Sequence, residues 1–222
     1  SGMVTLQNAT THSNNAAFVD LATQMNAGGA STVQAANDAG IPGTVGEDGW
    51  VEDLRVGMGA SEVSPADAAS GYSTLANDGA HFPWYVISKV TDSTGEVLYE
   101  AKPKADQGIE KDVATEATEA LTEVATSGTG AVVSQLGYPV AGKTGTRDEP
   151  TSSGGTKTTA AWFVGYTKQY TTAVNFVAGQ GGTDDLNGYT WGSFVGGGPP
   201  AQAWLSYMTT AMSGLPSEQF TE

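Results

Sequence analysis

Two runs of strand-forming residues late in the chain constrain its fold more than any other feature. TAAWFVGYT (159–167) and YTTAVNFVAG (170–179) are rich in aromatic and β-branched residues, and only Lys168 and Gln169 separate them. Two such runs joined by a short polar turn predict an antiparallel hairpin. Because the runs are almost continuously apolar, we expect burial on both faces. A second hairpin is predicted around the Asp-Ser-Thr-Gly stretch at 92–95.

Helical patterns surround these strands. Apolar residues recur every three to four positions at about 14–25, 31–40, 64–79 and 111–126, and again from Pro199 onwards. Ser13, Ser31 and Ser64 are the predicted N-caps of the first three segments, since serine oxygens accept hydrogen bonds from free N–H groups there. In the last helix, Trp204, Tyr207, Met208 and Ala211 are predicted to share a face. Helices, then antiparallel strands and a closing helix indicate an α+β fold.

The composition restricts the classes of function. The 222 residues carry nine Lys and Arg against 24 Asp and Glu, a formal charge of −15. Such an acidic surface repels nucleic-acid backbones and anionic membranes, so nucleic acid is not an expected partner. There is no cysteine, and His12 and His81 lack any metal-ligand spacing, so no metal site is expected. Hydrophobic residues make up 39% and charged residues 15%, which is typical of a packed domain.

Residues 136–146, LGYPVAGKTGT, fit two motifs that imply different chemistry. From Gly137 to Thr144 they match G-x-x-x-x-G-K-[ST], the phosphate-binding loop of nucleotide hydrolases. That loop must open a helix, whose free N–H groups hold the phosphates. Here Gly-Thr-Arg-Asp-Glu-Pro follows instead, and Pro139 removes a donor inside the loop. We therefore reject a nucleotide site.

The same residues make chemical sense as an extended strand. Lys143, Thr144 and Thr146 combine a cation with two hydroxyls, a set that suits a carboxylate ligand. Gly145 would let a ligand backbone approach closely. Without a bulge, Lys143 and Gly145 face one side of the strand and the two threonines face the other. The alternative is an exposed edge strand on which the lysine only discourages aggregation.

Several stretches taken together resemble a known family. Ser13-Asn14-Asn15 is an S-x-N triplet at the start of a helix, and Lys143 to Thr146 reads K-T-G-T. Residues 59–99 lie between the two motifs and residues 160–177 follow the second, in the family's order. From about Val4 to Gly214 the chain resembles the transpeptidase domain of class A penicillin-binding proteins, the bifunctional peptidoglycan synthases. The resemblance implies an α+β fold of the penicillin-binding-protein and β-lactamase type, with a helical region plus an antiparallel sheet.

The resemblance also implies serine acyl transfer. A serine in an S-x-x-K motif attacks the penultimate D-Ala carbonyl of a stem peptide. By position, Ser13 would relay protons, Asn15 would hydrogen-bond the substrate amide, and Lys143 would supply positive charge. Thr144 and Thr146 would bind the substrate carboxylate, with the Thr146 N–H facing the oxyanion. The implied ligands are peptidoglycan stem peptides and β-lactam antibiotics, and no cofactor is implied.

One motif of the family is missing, because S-x-x-K occurs nowhere in the 222 residues. We therefore expect residues 1–222 to be a partial transpeptidase domain that starts after the nucleophile segment. A helix and the first strands of the sheet would then also be lacking, and the N-terminal portion of the same protein is an expected partner. The resemblance places the protein outside the cytoplasmic membrane, anchored through an upstream segment.

Alternatives remain for single residues and for the whole chain. Ser13 could serve only as a helix cap, and Asn15 could bond only to backbone. Arg147 could add positive charge to the site or simply pair with Asp148 or Glu149. A serine β-lactamase or a D,D-carboxypeptidase would use the same motifs with water as the acceptor. A non-catalytic peptidoglycan-binding or scaffolding module would keep the pocket without the nucleophile.

Overall fold

Short helices come first along the chain, strands follow, and a helix closes the fold. The computed structural model describes residues 2–43, 50, 52–189 and 193–221. The α-helices in these ranges are α1 (Leu6–Thr11), α2 (Asn15–Gln24), α3 (Gly29–Asp38), α4 (Pro65–Ala76), α5 (Lys111–Thr126) and α6 (Pro199–Ala211). The strands there are β1 (Ala80–His81), β2 (Lys89–Thr91), β3 (Val97–Glu100), β4 (Asp106–Gln107), β5 (Ala141–Pro150), β6 (Thr156–Tyr166) and β7 (Thr171–Val177). This order confirms the predicted α+β fold.

Strands β5, β6 and β7 form an antiparallel sheet in that order. The β6–β7 pair confirms the first predicted hairpin. Gly145 lies opposite Trp162 in the β5–β6 ladder, and the register shifts only between Arg147 and Asp148. Side chains of β5 therefore alternate regularly up to that point. The expected burial on both faces holds for β6 but not for β7, whose side chains are half-buried on both faces.

The sheet packs between helices. On one face, Phe163 of β6 lies against Trp204 of α6, with ring centroids 5.3 Å apart. Both side chains are fully buried. On the other face, Ala141 and Tyr166 form a buried cluster with Leu121 of α5. The sheet that carries Lys-Thr-Gly-Thr is thus backed by core on both sides.

The predicted shared face of α6 was wrong for Tyr207. Trp204 is fully buried, whereas Tyr207 is 59% exposed. Buried residues of this helix recur at Ala201, Trp204 and Met208, a narrow stripe that leaves Tyr207 on the solvent side.

The predicted N-caps of α4 and α3 have different outcomes. Helix α4 begins as predicted, since Ser64 Oγ accepts a hydrogen bond from the Asp67 N–H at 3.1 Å. The predicted cap at Ser31 was wrong, because α3 begins at Gly29. A Cβ at Gly29 would lie 2.4 Å from the Asp53 carbonyl oxygen, so only a glycine fits at the first position of this helix.

Strands β2 and β3 confirm the second predicted hairpin. The carboxylate oxygen Oδ1 of Asp92 closes the turn by accepting hydrogen bonds from the N–H groups of Thr94 (2.8 Å) and Glu96 (2.9 Å). Apolar side chains of this region face solvent, with Val86 85% and Leu98 64% exposed. The hairpin therefore contributes little to the core.

Candidate active site

Two residues far apart in sequence meet where the turn between α1 and α2 lies against β5. Lys143 Nζ donates a hydrogen bond to Ser13 Oγ, with 2.8 Å between the two atoms. The residues are 130 positions apart, so only the tertiary fold brings them together. The first residue of the S-x-N triplet thus contacts the first residue of K-T-G-T.

The turn that carries Ser13 has an unusual backbone. Thr5 caps α1, a helix that the sequence did not predict. Asn14 caps α2 by accepting a hydrogen bond from the Ala17 N–H at 3.3 Å, so the predicted N-cap at Ser13 was wrong. Ser13 instead has a φ of +54°, a left-handed conformation that few non-glycine residues adopt. Its hydroxyl is therefore available to Lys143 rather than to the end of the helix.

Lys143 is a partly buried cation that pairs with no carboxylate in the part of the chain that the structure describes. Besides Ser13, its ammonium donates to the Thr144 carbonyl oxygen at 3.0 Å. An ammonium has three N–H groups, so one remains for a ligand. Burial lowers the pKa of Lys143 to about 8, because loss of water disfavours the charged form. An anionic ligand would oppose that shift by stabilising the charge.

Thr144 and Thr146 alternate with Lys143 along β5 and lie on the other face of the strand. Thr144 Oγ1 lies 2.6 Å from Thr129 Oγ1. Thr146 Oγ1 accepts a hydrogen bond from the Gly196 N–H at 3.1 Å. Each hydroxyl retains hydrogen-bonding capacity for a ligand, since a hydroxyl has one donor and two acceptor sites.

Gly145 is packed closely against neighbouring parts of the protein. A Cβ at this position would lie 3.2 Å from Cβ of Trp162 on the neighbouring strand, which is a tight contact. A Cβ at Gly196 would lie 2.6 Å from the Gly145 carbonyl oxygen, so that loop also packs directly on the strand. The second edge of β5 has no strand partner within the described ranges. Close approach of a ligand backbone to Gly145 stays a prediction.

The structure agrees with the rejection of a phosphate-binding loop. Lys143 is the third residue of the ten-residue strand β5. No helix in the described ranges begins at or just after this residue. The helix N-terminus that such a loop needs for its phosphates is therefore absent at this position.

The remaining two candidates differ in their surroundings. Asn15 is the first residue of α2 and is exposed, two positions after Ser13. Arg147 forms an ion pair, with 3.2 Å between its Nη2 and Glu149 Oε1. Asp148 instead accepts a hydrogen bond from Thr158 Oγ1 at 2.8 Å. Of the alternatives for Arg147, pairing with Glu149 is the one observed.

Comparison with known proteins identifies the family. Residues 1–190 match the penicillin binding protein transpeptidase domain. The chain belongs to this family. It is similar to penicillin-binding protein 1A of Mycolicibacterium smegmatis, with 34% identity over 232 aligned positions that cover 99% of this chain. The family resemblance inferred from S-x-N and K-T-G-T is thus confirmed.

Solved structures of similar proteins share the fold of this transpeptidase chain. PonA1 from Mycobacterium tuberculosis superposes with a TM-score of 0.86 at 29% identity, over 100% of this chain and 59% of that chain. PonA1 in complex with penicillin V superposes with a TM-score of 0.85, over 60% of that chain. The chain spans 29% of the length of the M. smegmatis relative.

Two residues that contact the K-T-G-T strand of this transpeptidase chain were not identified from the sequence. They are Thr129, which contacts Thr144, and Gly196, which contacts Thr146. In the sequence, Ser127-Gly128 indicates the end of α5 and does not by itself mark Thr129 as a site residue. A threonine flanked by glycines is nevertheless a usable signal, because glycines permit close backbone packing on both sides. Gly196 lies in a run of three glycines and has no comparable signal.

Proposed function

We propose that this chain forms part of a D,D-transpeptidase that cross-links peptidoglycan by acyl transfer from D-Ala-D-Ala stem peptides. The observation that carries the proposal is the 2.8 Å hydrogen bond from Lys143 Nζ to Ser13 Oγ. It joins the two motif residues whose roles in the proposed reaction depend on each other. Membership of the transpeptidase family and the similarity to a protein solved with penicillin V support the same conclusion.

In the proposed acylation, the serine of an S-x-x-K motif attacks the carbonyl carbon of the penultimate D-Ala. An ester forms, the bond to the terminal D-Ala nitrogen breaks, and that nitrogen needs a proton. Ser13 is suited to deliver it, because its oxygen accepts from Lys143 while its own hydrogen stays free to donate. Lys143 then reprotonates Ser13, which its lowered pKa of about 8 favours. The proton that the hydroxyl of the nucleophile lost then returns Lys143 to its charged form, which completes the proton relay.

The proposed carboxylate subsite lies along β5. Lys143 supplies one N–H and a positive charge at the edge of the strand, where its ammonium donates to the Thr144 carbonyl oxygen, and the hydroxyls of Thr144 and Thr146 supply further donors from the other face. In an otherwise acidic chain of charge −15, this local set is what attracts an anionic ligand. Asn15 is assigned to the substrate amide and the Thr146 N–H to the oxyanion. Gly145 is assigned to the approach of the substrate backbone.

The proposal assigns the nucleophile to a segment outside these residues, because the 222 residues contain no S-x-x-K. Residues 1–222 are then a partial transpeptidase domain, completed by another portion of the same protein. Two features support a missing neighbour. Strand β7 pairs only with β6 in the described part, and its Val177 is 53% exposed. Leu6 at the start of α1 is 55% exposed.

The proposed site of action is outside the cytoplasmic membrane, where stem peptides are cross-linked. The proposal assigns the membrane anchor to a segment that is not among the 222 residues. Of the helices that the structure describes, none has the length and apolar character needed to cross a bilayer.

The proposal is tested by fluorescent penicillin labelling of the whole protein, including its S-x-x-K segment. Lys143→Ala should lower the acylation rate on the order of 100-fold, because one preorganised cationic donor is lost. Lys104→Ala is the matched control, since Lys104 is exposed and outside any helix or strand. Equal rates for the wild type and Lys143→Ala would reject the role of Lys143. Absence of any labelling would reject the transpeptidase assignment itself.

The same labelling also tests the location of the nucleophile. The ester survives denaturation, so peptide mass mapping should find the label outside residues 1–222. Ser13 cannot replace the nucleophile, because Ala16 stands where S-x-x-K requires a lysine. Label on a serine of this chain would contradict the proposed chemistry. Hydrolysis of the penicillin with turnover, rather than a stable ester, would instead indicate a β-lactamase.

A further inference from the structure

The segment Ser127-Gly128-Thr129-Gly130 connects three parts of the site. The Thr129 N–H donates to the Thr11 carbonyl oxygen at 3.2 Å, at the end of α1. Thr129 Oγ1 lies 2.6 Å from Thr144 Oγ1 on β5. A Cβ at Gly197 would lie 2.1 Å from the Thr129 carbonyl oxygen, so the loop before α6 packs against it as well.

Its two glycines fix the position of Thr129. A Cβ at Gly128 would lie 2.4 Å from the Thr11 carbonyl oxygen, and a Cβ at Gly130 would lie 2.9 Å from the Phe163 ring. The backbone therefore fits closely between α1 and the sheet. The Thr129 side chain is nevertheless exposed, so its hydroxyl lies on the open side of the site.

The short contact between the hydroxyls of Thr129 and Thr144 restricts where the hydrogen of each hydroxyl can point. Two hydroxyls 2.6 Å apart share one hydrogen bond, in which one oxygen donates and the other accepts. When Thr129 donates, the hydrogen of the Thr144 hydroxyl must point elsewhere. An accepted hydrogen bond also strengthens the donor power of the accepting hydroxyl. Thr144 then presents an oriented donor to an anionic ligand.

We propose that Thr129 is a positioning residue of the carboxylate subsite, which donates its hydroxyl hydrogen to Thr144 and so aims the Thr144 hydroxyl at the substrate carboxylate. This inference rests on the proposed function, in which Thr144 contacts that carboxylate. A purely structural role would depend on the Thr129 backbone, whose N–H contacts Thr11. Thr129→Val retains that N–H and the side-chain shape, so it removes only the hydroxyl.

The test measures ligand dissociation constants and limiting acylation rates separately, on the whole protein with a carboxylate-bearing β-lactam. Thr129→Val should raise the dissociation constant by up to about tenfold, because the Thr144 hydroxyl is then no longer oriented towards the carboxylate. The limiting acylation rate should change much less. Thr129→Ser, which keeps the hydroxyl, should restore the affinity. Thr126→Val is the matched control, because its exposed hydroxyl bonds only within α5.

Two further measurements separate this mechanism from a structural effect. Thr129→Val should have no added effect in a Thr144→Val background, because the two hydroxyls act as one unit. The effect should also vanish for a ligand whose carboxylate is blocked as a methyl ester. An unchanged dissociation constant in Thr129→Val, or an effect that persists with the ester, would overturn the inference while acylation and the Thr144→Val defect stand. Normal affinity in Thr144→Val would overturn the inference together with the proposed carboxylate subsite.

Discussion

The site has two walls that are built differently. The strand wall, residues 141–147 of β5, is laddered to β6 along its whole length, and the sheet that these strands form has buried clusters on both faces. The turn wall, Thr11–Asn15, joins two short helices held by the side-chain caps Thr5 and Asn14. Its Ser13 is exposed and has a left-handed backbone. The charged group thus sits on the strand wall, and the hydroxyl proposed to transfer protons sits on the less supported turn wall.

Under the proposed function, this difference suits the two walls to separate tasks. Electrostatic stabilisation requires donors that do not reorganise, and a strand backed by core provides them. A relay hydroxyl must exchange partners, so it is better placed where fewer contacts hold it. The Lys143–Ser13 hydrogen bond joins the walls directly, and Thr129 links them indirectly, because its N–H donates to Thr11 and its Oγ1 lies against Thr144. Mutations that act on one wall at a time can break or sharpen this comparison.

The largest effect is expected in the core behind the strand wall. Trp204→Ala should lower the free energy of unfolding by about 3–5 kcal/mol, because Trp204 is fully buried against Phe163. Tyr207→Ala on the same helix is the control, since its side chain is 59% exposed and should change stability by about 0.5 kcal/mol or less. Calorimetry of the whole protein measures both. Similar losses for the two variants would show that α6 does not anchor the strand wall.

A smaller effect is expected from pH, through the charge of the strand wall. The pKa of Lys143 is lowered to about 8 by burial, so the cation predominates below this pH and the neutral amine above it. If only the cation binds a carboxylate, affinity should be constant below pH 8 and fall about tenfold per pH unit above it. Titration calorimetry with a D-Ala-D-Ala peptide checks this. Lys143→Arg is the control, because an arginine keeps its charge and should give a flat profile up to about pH 10.

The contrast between the walls also explains what could be predicted from sequence. The strand wall follows from local signals, since K-T-G-T, the apolar runs at 159–179 and Pro139 all indicate an extended segment. The turn wall does not, because the sequence predicts a cap at Ser13 and the chain places that function on Asn14. A serine next to two asparagines offers several equivalent caps, and tertiary packing selects one. The contact between Ser13 and Lys143 joins residues 130 positions apart, and only the S-x-N and K-T-G-T pairing pointed to it.

The smallest effect concerns the backbone of the turn wall. Ser13 has a φ of +54°, and a left-handed conformation costs a residue with a Cβ about 1–2 kcal/mol. Ser13→Ala and Ser13→Gly both remove the oxygen that accepts from Lys143, so their difference isolates the backbone contribution. Glycine relieves the strain but gains about 0.4–1 kcal/mol of unfolded-chain freedom, which leaves it more stable than alanine by about 0.5–1 kcal/mol. Chemical denaturation of the two variants in the whole protein measures this difference, and both should acylate equally slowly. If alanine were as stable as glycine, the turn wall would be unstrained, and its difference from the strand wall would reduce to exposure alone.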